Sequence, residues 1–135
     1  MNNLVSIKVT GTQNYDGEKD SITTIADGKY FFKKDKHYFL YEEATESGNL
    51  KTTIKVSDEA MEVKKTGAMH MHLFFEAGRE IACNYDTPYG SIPVAINTKR
   101  LDMFIENERI KIIVDYEIKN HDQVMAYSQL VVEAK

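Results

Sequence analysis

The chain has 135 residues, 42% of them hydrophobic and 28% charged, a balance that fits one folded domain over 1–135 and excludes a disordered segment. Seventeen basic residues against twenty-one acidic ones leave a net charge of −4, the wrong sign for a general nucleic-acid binder. Cys83 is the only cysteine, so no intrachain disulfide can form; with no secretory apolar segment and no run of membrane-spanning length, a reducing cytoplasm is the expected location.

At the N-terminus Val5, Ile7 and Val9 alternate with Ser6, Lys8 and Thr10, the period of two that separates the faces of a strand. Asp27-Gly28, between apolar runs at 22–25 and 30–32, reads as the strongest hairpin turn in the chain. Lys29, Lys33, Lys34, Lys36 and His37 then interleave with Tyr30, Phe31, Phe32 and Tyr38. Aromatics among cations can hold single-stranded nucleic acid, but the acidic total and nearby Glu42–Glu46 favour a charged hairpin tip at Lys33–Lys36. Further strands follow with Ile54 and Val56 against Thr53, Lys55 and Ser57, and with Met61 and Val63 against Glu62, Lys64 and Lys65.

Met69, Met71, Leu73 and Phe75 form the next core-facing set, with His70 and His72 on the opposite, solvent side. Two imidazoles at that spacing can share a metal, but no third ligand has diagnostic spacing, and no metal site is expected. Ile81, Cys83 and Tyr85 share a face, so Cys83 reads as a small buried hydrophobe. Ile92, Val94 and Ile96 keep one phase and Leu101, Met103 and Ile105 the other, which predicts a bulge or bend near 97–100, with a short helical turn there as the alternative; Pro93 should sit at a bulge or on an unpaired side. Over 109–119, Ile110, Ile112, Val114, Tyr116 and Ile118 fall on one face and charged residues on the other, with Ile113 the exception. The last segment is apolar on both sides: Val124, Ala126, Leu130 and Val132 against Met125, Tyr127 and Val131. Such a strand needs two covers, the core and either a second subunit or the 97–106 segment folded back, a hint of a homodimer.

Turn chemistry also marks 47–49, 57–59, 66–67, 77–78, 107–108 and 120–122. This spacing predicts an all-β domain of roughly nine to eleven short strands joined as an antiparallel meander, either a sandwich or a closed barrel. Four pieces in order carry a resemblance: Gly11-Thr12-Gln13 followed by Gly17-Glu18; Tyr41-Glu42-Glu43; Thr52-Thr53-Ile54-Lys55-Val56; and Tyr85-Asp86-Thr87-Pro88-Tyr89-Gly90. The chain resembles the YwiB-like family, small bacterial proteins of unknown function with a calycin-like β-barrel. The resemblance covers nearly the whole chain and implies a single antiparallel, mostly up-and-down, lipocalin-like barrel. It implies no activity.

A barrel of this size has room for side chains or one small ligand. The eight Tyr and six Phe include Tyr38, Phe39, Tyr41, Phe74, Phe75, Tyr85 and Tyr116 in strands, as core filling or as a pocket wall. Glu43 shares a face with Tyr41, and a carboxylate pointing into a barrel needs a cation, for which Lys55 and Arg79 are the candidates. The candidate ligand-binding set is therefore Tyr41, Glu43, Lys55, Arg79, Tyr85, Thr87 and Tyr89. No nucleophile elbow, phosphate loop, placed carboxylate pair or cofactor motif is present. The leading reading is a non-catalytic barrel that binds a small apolar or amphipathic ligand inside; the alternatives are a homodimeric interaction module and an enzyme using a carboxylate in the barrel mouth.

Overall fold

The structure, a computed structural model, describes residues 3–87 and 89–135, and of 85–87 the main chain only. Ten strands are present among the described residues: β1 (Leu4–Tyr15), β2 (Glu18–Lys33), β3 (Lys36–Thr45), β4 (Gly48–Val56), β5 (Ala60–Gly67), β6 (Met71–Glu76), β7 (Glu80–Thr87), β8 (Gly90–Glu106), β9 (Arg109–Asn120) and β10 (Gln123–Ala134). They form one antiparallel sheet in the order β6-β5-β4-β3-β2-β1-β10-β9-β8-β7, a meander in which the first and last strands lie side by side. The sheet curls into a nearly closed barrel, the one of the two architectures open to the turn spacing that the family resemblance implies. No helix among the described residues is long and apolar enough to cross a membrane.

Closure is incomplete at one seam. β6 and β7 are the two ends of the strand order. The turn between them docks on β8, where Gly78 N–H donates to Thr98 O at 2.9 Å and Thr98 N–H donates to Arg79 O at 3.1 Å. Inside, Phe75 of β6 meets Tyr116 of β9 edge-on at 4.8 Å between ring centres. Side-chain packing thus bridges the gap that main-chain pairing leaves open.

Alternation places the core. Phe39, Ile54, Val56, Met61, Phe75, Ile96, Ile112, Val114 and Val132 all point inward and are almost wholly buried. Each such side chain contributes about 1.5–3 kcal/mol over leaving it in water. The phase switch in β8 is a bulge between Thr98 and Arg100, which turns both Thr98 and Leu101 inward. Pro93 pairs with Asn84 of β7 but precedes the ladder to β9, which begins at Ala95, so its missing N–H costs no bond there. The 97–106 segment continues as barrel wall and does not fold back over β10.

Two expectations need correction. Asp27-Gly28 is not a turn: β2 runs straight through it, and the chain reverses at Lys34-Asp35, with φ of 53° and 63°. Gly28 faces inward for lack of space, since an added Cβ would lie 2.6 Å from Ile7 Cδ1 and closer still to Leu40 O. The other Asp-Gly pair, Asp16-Gly17, makes the β1–β2 turn with φ of 47° and 85°. Lys65 is no part of the polar remainder of β5; it shares the inward face of Met61 and Val63 and pairs with Thr52.

Candidate binding site

The inward face of β3 carries Phe39, Tyr41 and Glu43 in succession, the first two buried and Glu43 half-buried. Register extends this row sideways, from Gly28 through Tyr41 and Thr52 to Lys65 and Met71. Burial pushes the Tyr41 phenol above its usual pKa; the Thr52 hydroxyl opposes that shift and the Glu43 charge adds to it. Thr52 Oγ1 lies close enough to influence Tyr41, yet it meets no partner in proper hydrogen-bond geometry.

A second polar row lies across β8, β9 and β10, where Thr98, Tyr116 and Ser128 stand side by side. The hydroxyls of Thr98 and Ser128 are buried and, like that of Thr52, have no hydrogen-bond partner. A buried hydroxyl left in this state costs about 1–3 kcal/mol, so three of them on the inner wall call for polar partners.

The predicted ligand set does not form one site. Tyr41 and Glu43 are on the inner face, as their spacing requires. Lys55 points outward, 5.9 Å over the Tyr38 ring, and Arg79 donates to Glu76 at 2.8 Å in the β6–β7 turn. Neither supplies the cation for Glu43; the inward cation on this part of the wall is Lys65, which simple alternation from Met61 would have found. Lys55 and Glu76 instead line a cleft of about 170 Å³ beside the seam, with Met61, Phe75 and Ile81. Tyr85 and Thr87 pair through their main chains with Ile92 and Gly90, and their side chains lie outside the description. Tyr89, in the turn before β8, is 99% exposed.

Of the proposed aromatic wall, Phe39, Tyr41, Phe75 and Tyr116 face the interior, whereas Tyr38 and Phe74 face outward. The basic–aromatic cluster at 29–38 is split by the same alternation. Its lysines at 33 and 34 form the exposed tip, while His37 turns inward with Tyr30. The Tyr30 hydroxyl lies 2.6 Å from His37 Nδ1, and the two rings stack. Burial lowers the His37 pKa, partly offset by the charge of Asp58, and burial raises that of Tyr30. His70 falls before β6 and is exposed, and His72 Nε2 pairs with Glu62 Oε1 at 2.6 Å, so the two imidazoles are not paired on one strand. Cys83 is half-buried against the core, and burial raises its thiol pKa, away from a reactive thiolate.

Residues 7–132 match the family model described as "Domain of unknown function (DUF1934)". The chain belongs to this family. A DUF1934 chain of this length is also similar to the "Uncharacterized beta-barrel protein YwiB" of Bacillus subtilis (strain 168), with 26% identity over 119 residues, 88% of this chain and 84% of that protein. The crystal structure of the ywiB protein from Bacillus subtilis superimposes with a TM-score of 0.85 at 23% identity, covering 98% of this chain and 91% of that one. The family resemblance read from the motifs therefore holds, and so does the barrel; the family's own description assigns no activity to DUF1934.

Proposed function

We propose that this protein is a non-catalytic binding module that holds a small amphipathic molecule against the inner wall of its barrel. The observation that carries the reading is the trio of buried, unpartnered hydroxyls of Thr52, Thr98 and Ser128, set among apolar side chains. Glu43 and Lys65, half-buried on the same inner face, add one acceptor and one cation near the rim. A ligand with an apolar body and two or three polar atoms matches such a wall. The single half-buried thiol of Cys83 fits a reducing cytoplasm as the place of action.

Native mass spectrometry of the protein purified from its own cells tests this. The expected result is a retained small molecule that disappears in the double variant Thr98→Val, Ser128→Ala. A wild-type protein that carries no added mass, together with variants that are more stable than it, would overturn the reading, because the hydroxyls would then be only a cost to the fold.

A second reading is favoured by the start of β10, where a bulge between Val124 and Ala126 breaks the expected alternation and leaves Val124, Met125 and Tyr127 38%, 51% and 61% exposed. Apolar exposure on one strand supports a homodimer through this end of the β9–β10 hairpin. Sedimentation at high protein concentration should show the dimer, and a monomer there would remove this reading.

A further inference from the structure

Outside the barrel, a concavity of about 970 Å³ opens on the wall made by β2, β1, β10, β9 and β8. Five outward residues in register cross it, one from each strand: Ile25, Lys8, Glu133, Lys111 and Phe104. The two apolar residues stand at the sides, 69% and 51% exposed, and the charged residues form the floor. Arg109, Lys135 and Glu106 supply the other charged residues of the lining.

Charge decides what this place can take. Four basic side chains face two carboxylates, in a chain whose net charge is −4. Lys111 already leans on Glu133, 4.0 Å away, but Lys8, Arg109 and Lys135 have no ion pair among the described residues. A second copy placed face to face would set like charge against like, so the concavity is unsuited to a two-fold interface. Asp27 and Asp102 flank it on the same outer face, so the positive field is local and suits a compact anion better than a long polyanion. The exposed Phe104 ring adds a flat apolar surface on which another ring can stack.

We propose that this outer concavity binds a small organic phosphate with a flat apolar body. The phosphate sits among Lys8, Lys111 and Arg109, where several N–H donors can share its oxygens. The ring lies against Phe104. This site is separate from the inner wall of the barrel and does not depend on a ligand there.

Three probes separate its parts: 1-naphthyl phosphate carries both charge and ring, inorganic phosphate carries charge only, and 1-naphthol carries the ring only. Titration followed by amide chemical shifts should place 1-naphthyl phosphate at Lys8, Phe104, Arg109 and Lys111, with affinity at least about tenfold above either partial probe. Lys8→Glu and Arg109→Glu, both at exposed positions that leave the fold intact, should each weaken it about tenfold, and added salt should weaken it further. Phe104→Ala should bring the naphthyl compound down to the level of inorganic phosphate. Equal binding of 1-naphthol and 1-naphthyl phosphate would overturn the proposal. So would unchanged affinity in Lys8→Glu and Arg109→Glu, or shifts confined to inner-wall residues such as Tyr41 and Thr52; this last result would instead support the interior site.

Discussion

Replacing Gly28 with alanine adds one methyl group at a place where the barrel has no space for it. The new Cβ would lie 2.6 Å from Ile7 Cδ1 and 3.2 Å from Tyr41 Cβ, and it would press hardest on the main-chain oxygen of Leu40. The Ile7 contact can relax by a change of rotamer. The Leu40 contact cannot, because that oxygen belongs to the β3 strand paired with β2. Overpacking of this kind costs about 1–3 kcal/mol. Alanine recovers about 0.5–1 kcal/mol over glycine in a strand interior through the smaller entropy of its unfolded chain. The expected net loss is about 1.5 kcal/mol, which lowers a urea midpoint by about 1 M at an ordinary slope. Gly11→Ala is the matched control, since its Cβ would meet only Leu130 Cδ1, at 4.0 Å. It should leave stability unchanged or raise it by up to about 1 kcal/mol. Urea unfolding of both variants, with the slope held constant, measures the difference. If Gly28→Ala were as stable as the parent, or Gly11→Ala the less stable of the two, close approach would not explain why a glycine sits in the middle of β2.

Three further outcomes follow from the same packing. His37 has its pKa lowered chiefly by burial, so its neutral form favours the fold fully above the ordinary value of about 6.5, and that contribution is lost as pH falls below it; between pH 7.5 and 5, unfolding free energy should drop more in the parent than in His37→Gln. Tyr41 has its pKa raised chiefly by burial, so its contribution is present below about pH 10 and is lost as pH rises through and above that value; alkaline unfolding should come at higher pH in Tyr41→Phe. Phe39→Ala empties a fully buried site where Tyr30 packs at 5.2 Å between ring centres, and should cost about 3–5 kcal/mol in a denaturant melt.

Strand identity was legible in the chain wherever one face meets the core and the other meets water. β9 is the clearest case: Ile110, Ile112, Val114 and Ile118 are all buried, as their spacing of two demands. The bulge in β8 was legible for the same reason, because only an extra residue can carry apolar side chains across a phase change. Asp27-Gly28 misled because a glycine that serves a turn and one that makes room for a neighbouring strand look alike in one dimension. The candidate site was only half legible. Alternation placed Tyr41 and Glu43 correctly, but the choice of Lys55 and Arg79 as partners rested on charge alone and ignored the face on which each lies.

The order of apolar and polar residues along the chain was enough, by itself, to specify antiparallel strands and their inward faces, since each depends only on neighbours in sequence. Which inward residues become neighbours is set by shear and closure, and these exist only once all ten strands are paired. That is why Lys65 beside Thr52, the row of Thr98, Tyr116 and Ser128, and the outer line from Ile25 to Phe104 came from the folded barrel alone.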